Sequence, residues 1–308
     1  MSTKHTQTFK NFQTKHNLSY SNFFTFTNPK VLKNEKVSEI PTAILMLMNT
    51  PKACPAAGSC RSVCLITSGN PVYLDNKIKC RIRRNNAFMS DYSIFLRYLV
   101  VNCFRHYAKH RGTDKVGFRL NGVSDYKWED LSVKLTAEDT DYIKKAFNIF
   151  IEPIRYGSVI EAVQKAIDLN DNKLIRNSVQ FYDYTKRIDR NFDKCKNELN
   201  YHLTLSHGSK EDTFKKALEL GLNYACAFNL KKSQDLPKNF TYRGIKLNVI
   251  DGDITDFRPL DNNNKTNIVG LHFKIVANKE DAEKLKFCID TKSVNTVNGN
   301  KFYYHAKS

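Results

Sequence analysis

The feature that most constrains the fold is a recurring unit, in which a short apolar segment is followed by a longer, lysine-rich segment compatible with a helix. The apolar segments are nearly continuous rather than alternating, which is typical of parallel strands buried on both faces. Strands are predicted at residues 42–49, 116–120, 149–152, 178–182, 201–205, 224–228, 247–250 and 268–273. Helices are predicted between several of them, at residues 82–110, 159–169, 210–220 and 279–284.

The order of these elements predicts the fold class. Strands that alternate with helices form α/β folds, and eight of them favour a (β/α) barrel or a partial barrel. A doubly wound open sheet would give the same pattern. Residues 1–38 are polar apart from Phe23, Phe24 and Phe26, and we interpret them as a polar N-terminal arm that docks through these rings. The expected organisation is an arm at 1–38 and a single barrel-like α/β domain at 39–308.

Composition restricts location and partners. Hydrophobic residues make up 41% of the 308-residue chain, which is enough for a large core. No apolar run approaches the ~20 residues of a membrane-spanning helix. The polar N-terminus has no apolar signal core, so we expect a cytoplasmic protein with no membrane partner. The formal net charge of +18 favours a polyanion such as nucleic acid, because Lys and Arg release counterions from phosphates.

The densest basic segment indicates where nucleic acid would bind. Its candidate residues are Lys77, Lys79, Arg81, Arg83 and Arg84. Tyr73, Phe88 and Tyr92 flank the same segment, so its cations could follow a phosphate backbone while rings stack on bases. A solvated helix surface is the alternative interpretation.

Three cysteines in one loop, Cys54, Cys60 and Cys64, form the strongest local signal. Five and then three residues separate them, and Pro55 disfavours a helix between the first two. Thiolates are ligands of zinc and of iron–sulfur clusters. We predict an iron–sulfur cluster, with zinc or metal-free thiols as alternatives. The fourth position is left open for a distant side chain such as Cys80, water, a substrate or a cofactor.

Polar residues follow most of the predicted strands, at the edge where parallel α/β barrels build their active sites. The catalytic candidates are Arg119, Asp125, Lys186, Asp251 and Asp253. A strand arginine needs a partner for its charge, and a lysine at a strand end suits a phosphate or carboxylate or can act as a base.

The two aspartates, Asp251 and Asp253, belong to a four-carboxylate segment that suits a divalent cation or acid–base chemistry, with a capped turn as the alternative. We expect Arg119, Asp125, Lys186 and Asp251 to surround the metal.

Five segments, taken in this order, resemble a phage-encoded family named "gene product eighty-eight" over roughly residues 38–295. The segments are the cysteine loop at 49–64, FRLNGVSD at 118–125 followed by Trp128 and Glu129, FYDYTK at 181–186, LTLS at 203–206, and VIDGD at 249–253 with Asp256 and Arg258. The resemblance implies a partial or full (β/α) barrel, similar to that of radical S-adenosylmethionine enzymes, with a cluster held by the cysteine loop. It makes S-adenosylmethionine a candidate cofactor. Those enzymes have three and then two residues between their cysteines, so only the interval from Cys60 to Cys64 matches.

Two functional hypotheses follow. In the first, a phage-encoded protein binds an iron–sulfur cluster, of the [4Fe–4S] type, and acts on or near nucleic acid with radical-S-adenosylmethionine-like chemistry in the cytoplasm of an infected bacterial host. In the second, a non-catalytic DNA- or RNA-binding module uses zinc or a closed cluster to brace its loop. A host protein is a third kind of partner, and whether the chain is an enzyme is left open.

Overall fold

The computed structural model describes residues 3–26, 28–67, 71–170, 179–261, 265–273 and 287–289. Its strands are β1 (Thr42–Ile44), β2 (Val116–Arg119), β3 (Val133–Lys134), β4 (Arg155–Tyr156), β5 (Val179–Thr185), β6 (Tyr201–Ser206), β7 (Tyr224–Phe228), β8 (Asn239–Tyr242), β9 (Ile245–Asp251) and β10 (Ile268–His272). Its α-helices are α1 (Thr3–His16), α2 (Tyr20–Phe23), α3 (Pro29–Ser38), α4 (Leu74–Ser90), α5 (Tyr92–Lys109), α6 (Ala137–Phe147), α7 (Val159–Asn170) and α8 (Thr213–Leu220).

One eight-stranded sheet organises the chain, in the order β1-β2-β5-β6-β7-β10-β9-β8. Every neighbouring pair is parallel except β8 with β9, which form an antiparallel hairpin at one end of the order. The carboxyl ends of seven strands therefore meet at one edge of the sheet. Loops that follow those strands are brought together there, whatever their distance along the chain.

The α/β class is confirmed. From β1 to β7, the strands of this sheet lie in the order in which they occur along the chain, as in a barrel. Beyond β7 the two orders differ, because β10 lies between β7 and β9. Within the described ranges no backbone pairing joins β1 to β8, so closure into a barrel is not established.

The two faces of the sheet are covered differently. Helices α5 and α7 cover the face that carries Phe118 and Phe181, whose rings stack 5.1 Å apart. The opposite face, called here the inner face, carries Gly117, Arg119 and Tyr182. A Cβ on Gly117 would lie 2.8 Å from Thr42 Oγ1, so this packing requires glycine. The parallel strands β2 and β7 are buried along their whole length, which explains why their residues carry no charge apart from Arg119.

The polar N-terminal segment forms helices α1, α2 and α3. Its rings dock as expected: Phe23 and Phe24 are fully buried in the main core, and Phe9 and Phe12 join them. From α3, the buried Asn34 donates hydrogen bonds to Tyr182 Oη and Thr42 Oγ1. The segment thus contributes both apolar and polar contacts to the sheet.

Some predicted elements are wrong. Residues 149–152 form no strand: Ile149 and Ile151 are buried from the connection between α6 and β4, and β4 pairs antiparallel with β3. The helix predicted at 82–110 begins at Leu74 and is two helices, because Asp91 leaves helical geometry with φ −127° and ψ 48°. Strand β8 was missed. The helix predicted at 279–284 lies outside the described residues.

Within the part of the chain that the structure describes, no helix combines the length and the apolar character that crossing a membrane requires.

Candidate functional site

The cysteine loop crosses the carboxyl edge of the sheet and is bonded to the loops on either side. The backbone N–H of Asp125 donates to Ala53 O at 3.0 Å, and that of Gly58 donates to Gly208 O at 2.9 Å. A Cβ on Gly58 would lie 2.7 Å from the backbone of Ser209, so glycine is needed for this close approach. The loop is therefore anchored between the segments that follow β2 and β6.

The three thiols of the loop lie in a half-buried, charged environment. Cys54, Cys60 and Cys64 form no disulfide among the described residues, and all three are half-buried. Burial raises the pKa of Cys54 to about 12, and the charges of Asp125 and of the other two cysteines act in the same direction, while Lys186 opposes them. These groups are therefore close enough to influence one another electrostatically.

The donor chemistry of this loop fits a thiolate-bound metal group. Soft sulfur donors select zinc and iron–sulfur centres, and the cations of Lys186 and Arg81 lie near Cys54 and Cys64 respectively, where they would offset thiolate charge. Among the described residues, no three His, Cys, Asp or Glu side chains surround one point as the ligands of a single metal ion do.

Asp125 lies beside the cysteine loop and is held in place by the end of β5. Its carboxylate accepts hydrogen bonds from Thr185 Oγ1 and from the backbone N–H of Lys186, both at 2.8 Å. Arg190 approaches it at 3.6 Å. Burial raises the pKa of Asp125, although these partners oppose the shift.

Lys186 occupies the same corner. Its Nζ donates to Ser206 Oγ at 2.6 Å, across the ends of β5 and β6. Its charge also reaches His207, whose pKa is lowered to about 3 mainly by burial. Of the predicted catalytic residues, Asp125 and Lys186 are the two that adjoin the cysteines.

Residues that support Asp125 were not singled out for this role in the sequence. Asn121 Oδ1 accepts hydrogen bonds from Tyr126 N at 2.9 Å and from Trp128 Nε1 at 3.0 Å, and so shapes the loop that carries Asp125. Arg190 forms a bidentate pair with Glu129 at 2.8 and 2.5 Å. Asn121, Trp128 and Glu129 belong to a segment that carries the family resemblance, but neither that segment nor the charge of Arg190 identified these partners.

Arg119 lies deeper, on the inner face. Its Nη1 donates to Asp256 at 2.7 Å, its Nε lies 3.8 Å from Asp183, and its guanidinium sits over the Tyr184 ring at 4.8 Å. Two carboxylates therefore face the guanidinium, and Asp256 is closer to it than Asp183 is. These contacts occupy Arg119 within the fold.

Asp251 and Asp253 lie at the end of β9 and are not brought to the cysteine loop. Four strand spacings separate β9 from β5 in the sheet order, and the hydrogen bonds and ion pairs of the described residues include none between these two aspartates and the cysteine loop. Asp251 Oδ1 accepts from the Asp253 backbone, and Asp253 accepts from His272 N and Nδ1 at 2.8 Å. This arrangement matches the capped-turn alternative, so the expected convergence holds for only part of the set.

The basic segment forms helix α4 and its residues divide into two groups. Lys77 and Lys79 are exposed and Arg83 is half-buried. Arg81 is buried and donates to Ile66 O at 2.5 Å, while buried Arg84 donates to Asn22 O at 2.8 Å. Burial lowers the pKa of both arginines, that of Arg84 to about 10. As the chain is folded, the two buried arginines bind backbone carbonyls.

Comparison with known proteins identifies the family. No curated protein matches the chain, and no solved structure matches it either. The model of the family described as Gene product 88 matches residues 21–291, which includes the cysteine loop, Asp125, Lys186 and Ser206. Because this match covers most of the chain, the protein belongs to the Gene product 88 family.

Proposed function

We propose that Cys54, Cys60 and Cys64 ligate an iron–sulfur cluster of the [4Fe–4S] type, and that the protein uses it on or near nucleic acid. The observation that carries this proposal is the anchored loop of three thiols, none of them in a disulfide within the described residues, at the carboxyl edge of a largely parallel sheet, beside Asp125 and Lys186. That edge is where folds of this class assemble reactive groups. The sheet would act as a partial barrel around the site.

The chain's own residues would orient a substrate there. The cluster, when bound, supplies electron transfer or a Lewis-acidic iron. Lys186 presents an ammonium to a negatively charged group, while the Thr185 hydroxyl and the Lys186 backbone hold the Asp125 carboxylate at the same corner. The proposed setting is the cytoplasm of an infected bacterial host.

The cluster is tested by anaerobic purification of the full-length chain, followed by visible absorption and by iron and sulfide analysis. We expect a brown protein, and we expect Cys60→Ser to lose the colour together with the iron and sulfide. Cys195→Ala is the control, because Cys195 is buried in the core next to Arg190 and Glu129 and should leave the colour unchanged. A colourless protein with one stoichiometric zinc would contradict the cluster and favour the non-catalytic binding module.

Nucleic-acid binding is tested on the exposed part of α4. We expect the wild type to shift DNA or RNA in a gel at low salt, and we expect Lys77→Glu/Lys79→Glu to weaken the shift, because phosphate contacts dominate such binding. Lys144→Glu/Lys145→Glu makes the same charge change on exposed residues of α6. Equal loss in both double variants, or no shift by the wild type, would contradict this interface and direct attention to a host protein.

A further inference from the structure

The ammonium group of Lys186 has few partners for a half-buried cation. Its Nζ donates to Ser206 Oγ at 2.6 Å. No carboxylate oxygen in the described ranges lies within 4.0 Å of Nζ. An ammonium carries three N–H donors, so two are left for a ligand or for water.

The other cations of the inner face are paired differently. Each arginine there contacts a carboxylate: Arg119 with Asp256 at 2.7 Å, and Arg258 with Asp261 at 3.2 Å. These pairs offset the cost of burying charge. Lys186 differs from both arginines because its close partner is a neutral hydroxyl.

Asp125 is the carboxylate to consider as an ion-pair partner of Lys186, because the charges of the two groups act on each other. Both of its oxygens already accept hydrogen bonds, one from Thr185 Oγ1 and the other from the Lys186 backbone. Its charge also faces Arg190 at 3.6 Å. Asp125 therefore influences Lys186 electrostatically without accepting a hydrogen bond from its ammonium.

The hydroxyl next to Lys186 can also turn toward a ligand. Ser206 Oγ donates to Thr185 O at 3.4 Å, a long hydrogen bond that is weakly held. If Ser206 donates to a ligand instead, its O–H and the two remaining N–H groups of Lys186 can converge on one group of acceptor oxygens. Such donors match an oxyanion, and hydrogen bonds to a charged acceptor are the stronger kind.

We propose that Lys186 and Ser206 bind the oxyanion of a small substrate, a carboxylate or a phosphate, beside the cysteine loop. Ser209 Oγ lies 3.1 Å from Ala56 O in the cysteine loop and 2.8 Å from Lys186 O, so the bound group would lie beside that loop. The proposal names the class of substrate for the site described above. That the bound anion is a substrate rests on the function proposed above.

The test is calorimetric titration of the full-length protein, as purified, with inorganic phosphate and separately with acetate at constant ionic strength. We expect saturable binding of one of the two probes, and the preferred probe distinguishes a phosphorylated substrate from a carboxylate. Lys186→Met should weaken binding at least about tenfold, and Ser206→Ala should weaken it less. Lys186→Arg, which keeps the charge, should retain part of the affinity.

Lys165→Met is the matched control, because it removes a lysine of helix α7 that already pairs with Glu161 at 2.6 Å. It should bind the probe as the wild type does. Saturable binding that is unchanged in Lys186→Met and Ser206→Ala would overturn the proposal, as would the lack of saturable binding of both probes by the wild type. If Lys186→Met does not fold, Ser206→Ala decides the question.

The two proposals fail separately. A colourless protein that still binds a probe through Lys186 would contradict the cluster and keep the anion site. A brown protein whose Lys186→Met variant binds the probe normally would keep the cluster and remove the anion site.

Discussion

Cations on the same face of the sheet have two kinds of partner, carboxylates in the interior and a hydroxyl at the carboxyl edge. In the interior, Arg119 pairs with Asp256 and Arg258 with Asp261, and the ring of Tyr184 lies under the first guanidinium. At the carboxyl edge, only a few residues further along the strands, Lys186 contacts a serine hydroxyl. Each interior guanidinium faces a carboxylate, although Arg119 Nε and Arg258 Nε are buried without a hydrogen-bond partner among the described residues. The lysine at the edge differs in having a neutral hydroxyl as its close partner.

This difference separates structural charge from charge that can serve a ligand. Removing one partner of a buried pair leaves the other charge uncompensated, which is costly. Removing a cation that has no ion pair leaves no such charge behind. The comparison therefore predicts that substituting an interior arginine mainly lowers stability, whereas substituting Lys186 mainly weakens ligand binding.

The largest effect is expected from breaking an interior pair. We expect Arg119→Met to lower the free energy of unfolding by about 3–5 kcal/mol, because buried Asp256 loses the guanidinium that bonds it at 2.7 Å. Urea denaturation of the variant and the wild type measures the difference. The double variant Arg119→Met/Asp256→Leu is the control, since replacing both charges by apolar groups should recover much of the loss. A loss below about 1 kcal/mol in the single variant would show that the interior pair is not needed.

A smaller effect concerns the pH dependence of stability and the buried residue Asp183, which accepts a hydrogen bond from Tyr201 Oη. Burial raises the pKa of Asp183 to about 7, while Arg119 and the hydrogen bond from Tyr201 oppose the shift. The folded chain therefore binds a proton more tightly than the unfolded chain, where the pKa is about 3.9. This group's contribution to stability is fully present below about pH 4 and is lost as pH rises to about 7.

The measurement compares urea denaturation of the wild type and Asp183→Asn between pH 4 and pH 8. We expect the wild type to lose stability relative to the variant across this range, by an amount on the order of 2 kcal/mol, because the amide cannot ionise. A difference that stays constant with pH, or that grows in favour of the wild type, would contradict the raised pKa.

The smallest effect on stability is expected at the edge. Lys186→Met should change the free energy of unfolding by less than about 1 kcal/mol, because no ion pair is broken. The same denaturation measurement applies. A loss as large as that of Arg119→Met would remove the distinction between the two regions and would make Lys186 a structural residue.

Much of the sheet could be predicted, because long apolar runs identify buried strands whatever their neighbours are. The hairpin of β8 and β9 was harder to predict. Its turn is formed by Arg243 and Gly244, both with positive φ, and only the glycine was a sequence signal. The extended segment containing Ile149 and Ile151 misled the prediction, because alternate burial does not require a strand partner.

The site was predictable in part for the same reason. Cys54, Asp125 and Lys186 come from loops that follow neighbouring or nearby strands, so the parallel sheet brings them together. Strand order decided the rest: β10 and β7 separate Asp253 from this corner, and no local pattern indicated that order. The basic helix shows a second limit, because Lys79 and Arg84 have similar sequence surroundings but face solvent and core respectively.

The sequence by itself determined the α/β class, most of the strands, the cysteine loop and the excess of positive charge, because each of these depends on residues close together in the chain. The tertiary structure decided which charges are matched. The pairing of Arg119 with Asp256 and the hydrogen bond from Lys186 to Ser206 join segments far apart in sequence. A charge acquires a structural or a binding role from the groups that surround it in space, and those groups are set by strand order and register rather than by local sequence.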